Sequence, residues 1–319
     1  MRRLGLVTLL ALMSAATTAM AQGWPAGRTI KFVVPFPPGG STDLVARLMA
    51  DTMGKHLGQS IVVENQAGAS GNIGIAAAAK STPDGYTVLI APDSIASSAH
   101  VFNISYDPLK DLVPVVQLTR QPVVLAVHAS LGVATVADLV RIAKSRDDLA
   151  YVTSGVGSQQ HIVGEWFVKL AGIKLVHVAY RGGGQAINDL VAGHVKVGSL
   201  GSAPVLPHHT AGTLRIIAQT TKERSTGLGD VATYIQSGFP DIVLDQWLGI
   251  FVPASTPDPI SVRLNAEANR ALGDAGVRAK LGQSALDAVG GTAEQFRRLV
   301  AEDFDRYARL VKDLGIKAQ

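Results

Sequence analysis

The chain of 319 residues contains no cysteine. That excludes disulfides, thiol nucleophiles, Cys-ligated zinc, iron–sulfur clusters and a cysteine-linked lipid anchor. Charge is scarce too: charged residues make up 17 %, and Lys+Arg 29 against Asp+Glu 25 leaves a formal +4, too little to imply a nucleic-acid partner. No H-E-x-x-H, Walker loop, three-glycine dinucleotide fingerprint or G-x-S-x-G occurs. His208 and His209 are adjacent and the other histidines scattered, so no metal site is expected. Beyond residue 22, no apolar run approaches the roughly 20 residues of a bilayer-spanning helix. What is plentiful is apolar and small, with hydrophobic residues at 47 % and 33 glycines. Such a composition buries a core instead of staying disordered, and at roughly 150 residues per domain the length corresponds to about two domains.

The first 22 residues, MRRLGLVTLLALMSAATTAMAQ, join Arg2 and Arg3 to an apolar run and end in Ala19-Met20-Ala21. This is the charge, apolar stretch and A-x-A order of a secretory signal peptide, residues 1–21. An uncleaved membrane anchor is the competing reading, but its apolar part is too short to span a bilayer. Cleavage after Ala21 leaves 319 − 21 = 298 residues and lowers the formal charge from +4 to +2. The expected location is the periplasm, as a freely diffusing monomer.

Short β-branched runs alternate with helical patterns, which predicts an α/β fold with largely parallel sheets. Strands are expected at 30–34, 60–64, 86–90, 113–118, 123–127, 149–153, 175–178, 195–199, 214–219 and 247–252. Helices are expected at 42–57, 73–80, 135–144, 161–171 and 185–192, and again after Pro253. A final helix begins at Thr292 with a T-x-x-Q capping box to Gln295. No single linker divides the chain, so two lobes connected by two crossings are expected, near 118–123 and 244–250. Lobe 1 would be 22–119 plus 249–319, and lobe 2 would be 120–248. A cleft between two such sheets is the default ligand site, and Trp247, at a crossing, is the tryptophan expected on its wall.

Chemistry concentrates in strand-exit loops. Pro35-Phe36-Pro37-Pro38-Gly39-Gly40-Ser41-Thr42-Asp43 offers glycines, a capping hydroxyl and a helix N-terminus, which suits a carboxylate or phosphate. The competing reading is a rigid Pro-Gly turn. Thr153-Ser154-Gly155-Val156-Gly157-Ser158-Gln159-Gln160-His161 repeats this chemistry in the other lobe. Ser158 and His161 have no oriented third member, so they read as cap and packing residues and not as a catalytic pair. Tyr180-Arg181 precedes three glycines, and Arg181 reads either as an anion partner or as a solvated side chain. The segments around Asp93-Ser94 and Gly201 are further loops of the same small, polar type.

Taken in order, WPAGRTIKFVVPFPPGGSTDLVARLMA, VVENQAGASGNIG, STPDGYTVLIAP, ISYDPLKDLVPV, SGVGSQQH, HVAYRGGGQAINDLVAGHV and WLGIFVPASTPDP resemble the substrate-binding proteins of tripartite tricarboxylate transporters, the TctC or Bug family. The resemblance covers essentially the whole chain after the first segment. It implies a periplasmic binding protein of type II: two α/β lobes, hinge closure on a small carboxylate, and delivery to a tripartite membrane permease. It also implies loop residues of both lobes as ligand donors: Gly39, Gly40, Ser41 and Asp43 from lobe 1, and Ser154, Gly157, Ser158 and His161 from lobe 2. Phe36, Asp93, Ser94, Tyr180, Arg181, Gly201 and Asp245 complete the candidate set. Asp93 departs from the family's usual small-residue loop. It reads either as a cleft carboxylate that meets an ammonium group, making the ligand a zwitterion, or as a surface turn residue. No enzyme, cofactor or metal is expected. A sensory receptor acting on a membrane protein without transport is the alternative function.

Overall fold

The computed structural model describes residues 23–318. The expected signal peptide lies outside the described residues. Strand β1 (Ile30–Val34) is buried at every position but Lys31, which is exposed near its start. It pairs in parallel with β2 (Ile61–Asn65) and β3 (Thr87–Pro92). Between them run α1 (Ser41–Leu57) and α2 (Asn72–Ala79), and α3 (Ser94–Val101) leaves β3.

Strand β4 (Leu112–His128) is the spine of the molecule. Its first part, up to Pro122, pairs antiparallel with β9 (Asp245–Pro253), which also pairs with β3. From Val123 onward it pairs instead with β7 (Val197–Gly201) and β8 (Leu214–Gln219). The exchange of partners falls at Pro122, which has no N–H to give a ladder. β7 continues in parallel to β5 (Ala150–Thr153), which pairs with β6 (Val176–Ala179). The order across the sheet is β2-β1-β3-β9-β4-β7-β5-β6, with β8 and β10 (Asp287–Ala288) pairing to β4 off this path. Where the sequence reading places two strands, 113–118 and 123–127, one bulged strand runs through both.

Helices cover both faces of each strand group. α1, α8 (Asp258–Gly273) and α9 (Ala275–Gly282) bury Val45, Met49, Leu264 and Leu281 against Ile30, Phe32 and Ile250. In the second group, α4 (Val136–Lys144) and α5 (Gln159–Ala171) pack on one face, with Leu139, Ile162 and Phe167 against Tyr151. The other face carries α6 (Gly183–Val191) and α7 (Ser202–Thr210), through Leu190 and Val205. α3 and α7 have no counterpart in the sequence reading, since SIASSAHV is serine-rich and SAPVLPHHT carries an internal proline.

The last helix, α10 (Ala293–Leu314), starts at Thr292 with the expected capping box to Gln295 and ends at left-handed Gly315. Its first half sends Phe296 and Val300 into a cluster with Ile95, Trp247 and Phe251. Its second half sends Tyr307 and Val311 into the cluster of Tyr151 and Phe167. The helix therefore straddles both strand groups, whereas the sequence reading puts it wholly with the first. Trp247 is not on a cleft wall: it is 2 % exposed, its Nε1 donates to Asp303 Oδ2 at 2.7 Å, and Phe296 meets its ring edge-on.

Candidate functional site

Five strand exits turn into helices around one cleft: β1 to α1, β3 to α3, β5 to α5, β6 to α6 and β7 to α7. Their N-cap residues are Gly40, Asp93, Ser158, Gly182 and Gly201. At Gly40 and Gly182 no side chain caps the helix, so first-turn N–H groups stay free for something in the cleft, whereas behind Gly201 the Ala203 N–H is already taken by Gln121 Oε1. Aligned helix N-termini carry partial positive charge, and an anion at their focus is favoured without a cationic side chain.

Of the sequence candidates, Phe36, Gly40, Ser41, Asp43, Ser94, Ser154, Ser158 and Gly201 line this cleft. Gln160, Gln246, Thr42 and Gly183 line it too and were missed. Gln160 lies in the strand-exit segment 153–161 and Gln246 one residue before the strand expected at 247–252, so the sequence hides only their side-chain direction. The amides form a chain: Gln246 Oε1 accepts from Gln121 Nε2 at 2.7 Å and from Gln160 Nε2 at 3.3 Å. Ser154 Oγ donates to Gln160 Oε1, and Gln121 Oε1 accepts from Ser41 Oγ at 3.3 Å and from the Ala203 N–H at 3.2 Å. Ser94 Oγ differs from these. It is buried and has no partner among the described residues, although its residue faces the cleft.

The cleft is closed. Gly39 takes φ +93°, and the backbone of Gly39-Gly40 lies directly on Gly183-Gly184, where a Cβ at Gly184 would stand 2.8 Å from the Pro38 carbonyl. About 40 Å³ remains inside. A water needs about 10–15 Å³, so there is room for a few waters or a small polar group.

Among the described residues, no lysine or arginine lines the cleft. Asp43 does, but its charge is already matched. Oδ2 accepts from the Gly39 N–H at 3.2 Å and Arg47 Nε at 3.0 Å, while Asn65 Nδ2 donates to Oδ1 at 3.0 Å. Burial pushes this carboxyl up, but the bonds from Arg47, Asn65 and Gly39 together hold it below the usual range. Asp43 shapes the loop; it has no oxygen left for an ammonium group.

Several candidates are not brought to the cleft. Asp93 is 0 % exposed and turns backward, where Oδ2 accepts from the Tyr307 hydroxyl at 2.6 Å; it is neither a cleft carboxylate nor a surface turn residue. Burial lifts its carboxyl to about 7 against the lowering effect of the Tyr307 bond, with nearby Asp303 adding to the rise. His161 also faces away: Nδ1 accepts from the Gly157 N–H at 3.1 Å, and the ring stacks on His177 at 3.8 Å. Burial and His177 push its pKa down to about 3, so the ring is neutral. Gly157 is spent in that bond and in accepting from Ser97 Oγ at 2.6 Å. Gly39 acts through the Asp43 contact. Tyr180 donates to Asp189, Arg181 is exposed, and Asp245 lines a separate groove with Arg120 and Arg224, so none of these three lines the cleft.

The family model described as tripartite tricarboxylate transporter family receptor matches residues 45–316. Protein BugT of Bordetella pertussis is 36 % identical over 306 residues, covering 95 % of this chain and 94 % of that protein. Among solved structures, a periplasmic transporter superposes with a TM-score of 0.89 at 34 % identity, covering 92 % of this chain and 99 % of its own. R. palustris Rpa4515 with adipate does so with a TM-score of 0.89 at 34 % identity, over 92 % of this chain and 100 % of its own.

Proposed function

Because this chain belongs to the tripartite tricarboxylate transporter receptor family, we propose that it is a periplasmic receptor that closes on a small carboxylate and delivers it to a tripartite membrane permease. The observation that carries this reading is the convergence of five helix N-termini on a cleft lined by serines and amides, with no cationic side chain among the described residues. A carboxylate there replaces water with fixed N–H and O–H donors. Ser94, whose hydroxyl has no partner among the described residues, is the proposed hydroxyl donor, and the first-turn N–H groups after Gly40 and Gly182 complete the set. The Ser41, Ser154 and Ser158 hydroxyls already donate to Gln121, Gln160 and the Gly155 carbonyl and shape the wall. The ligand in this reading carries no ammonium group, because Asp43 is saturated and Asp93 faces elsewhere. The bound adipate of the R. palustris relative agrees with a ligand of that kind.

The two strand groups act as lobes, 22–119 plus 249–319 and 120–248, turning about the crossings at Pro122 and Asp245. Removal of residues 1–21 on export completes the reading. Closure would seal the ligand against Gly39-Gly40 and Gly183-Gly184, and the closed shape is what a permease recognises. A thermal-shift panel of mono-, di- and tricarboxylates beside amino acids of matching length tests it, since ligand bound to the native state raises its apparent stability. Succinate or a longer carboxylate is expected to raise Tm and aspartate or glutamate to leave it unchanged. An amino acid that stabilises more than every simple carboxylate overturns the ligand class. Loss of uptake of that carboxylate on deletion of the gene tests delivery.

A further inference from the structure

Behind the cleft, neighbouring residues divide their directions. Ser94 and Ser158 face the cleft, while Asp93 and Gln159 beside them point backward and meet at one atom. The Tyr307 hydroxyl donates to Asp93 Oδ2 at 2.6 Å and accepts from Gln159 Nε2 at 3.1 Å. Gln159 Nε2 also donates to the Asp245 carbonyl at 2.9 Å, at the crossing strand. Asp93, Gln159 and Tyr307 are each 0 % exposed. One hydroxyl on α10 thus joins a loop of the first strand group, a helix start of the second and, through Gln159, the crossing.

We propose that Tyr307 is a positioning residue for ligand capture: its hydroxyl holds the Ser94 and Ser158 loops in register from behind and biases the cleft toward its closed state. For its ligand this rests on the carboxylate-receptor reading; for its geometry it does not. Rotation about the crossings changes the separation of Asp93 and Gln159, and two hydrogen bonds to one oxygen tolerate only a few tenths of an ångström. Tyr307 cannot follow both loops at once, since it hangs from one helix, α10, whose side chains Phe296, Val300 and Val311 are packed in the clusters on either side. Opening therefore breaks a buried bond and leaves a polar group without a partner, which disfavours the open state.

The absence of cysteine permits site-specific spin labels at exposed Leu44→Cys on α1 and Asn188→Cys on α6. Pulsed distance measurements then read the cleft with and without adipate, in the unaltered background, Tyr307→Phe, Gln159→Leu and the double variant. The removed hydroxyl is expected to add a longer-distance population in the ligand-free protein. Adipate affinity is expected to fall about tenfold, the ratio that corresponds to about 1.4 kcal/mol. The double variant should lose no more than Gln159→Leu alone, because that change already breaks the junction together with the bond to the Asp245 carbonyl. Unchanged distances in both variants, or fully additive losses, would overturn the proposal. If adipate closes all variants alike, the junction role fails while the carboxylate reading stands. If adipate closes none of them but Tyr307→Phe still lengthens the ligand-free distance, the junction stands and adipate-like ligands are wrong.

Discussion

Asp43 sits in the first turn of α1 and Asp93 at the N-cap position of α3, two helices that leave neighbouring parallel strands of one sheet. Their carboxylates meet opposite environments. Asp43 bends back to its own loop, accepts the Gly39 N–H and pairs with Arg47 one turn on. Asp93 has αR backbone angles, φ −53° and ψ −19°, and makes no capping bond. A cap needs an extended residue whose side chain reaches its own helix, so this carboxylate is turned toward α10 instead. An acid at a strand exit is therefore no guide to the cleft until its helix phase is known. The serines repeat the lesson: Ser158 caps α5, whereas Ser94 leaves its hydroxyl free.

Variants of these loops can break or sharpen the contrast. The largest effect belongs to Asp43→Ala, which strips partners from Gly39, Arg47 and Asn65 together. It is expected to lower carboxylate affinity at least about tenfold and folding stability by about 1–3 kcal/mol, read by calorimetry and urea unfolding. Ser94→Ala should separate binding from folding: a severalfold loss of affinity with the ligand-free Tm unchanged, because Oγ bonds nothing among the described residues. Equal loss of stability in both variants would make Ser94 structural.

Asp93→Asn acts on pH dependence. The folded pKa of Asp93, about 7, lies above the ordinary 3.8, so the native state binds a proton that the unfolded chain has released. Its contribution to stability is fully present below about 3.8 and is lost as pH rises through about 7. The variant should flatten that decline between pH 5 and 8 in a Tm series. His161 has the opposite sign, since its pKa is depressed from 6.5 to about 3 and its contribution is lost as pH falls below 6.5. His161→Asn should flatten the acid limb only. The smallest effect is Arg181→Ala, whose affinity should stay within about twofold, because an exposed arginine away from the cleft is screened by solvent.

Much of the architecture was legible because it rests on local pattern. The β-branched run of β1 and the capping box at Thr292 are written in adjacent residues. The cleft was legible as loops for the same reason. What escaped was direction and distance. Asp93, His161 and Trp247 lie in or beside the right segments yet are turned into the interior by partners far along the chain, Tyr307, His177 and Asp303. Gln246 enters through a strand that begins earlier than its apolar run suggests. Serine-rich α3 and proline-bearing α7 form because neighbouring elements pack on them, against weak local propensity.

The crystal structure of the chain with whichever simple carboxylate raises its Tm most tests the neutral, dipole-lined cleft directly. One carboxylate is expected between the five helix N-termini, with an oxygen within about 3.2 Å of the otherwise unpartnered Ser94 Oγ and no cationic side chain in contact. A ligand held by Arg181 or another cation, or one that leaves Ser94 Oγ without a partner, would contradict it.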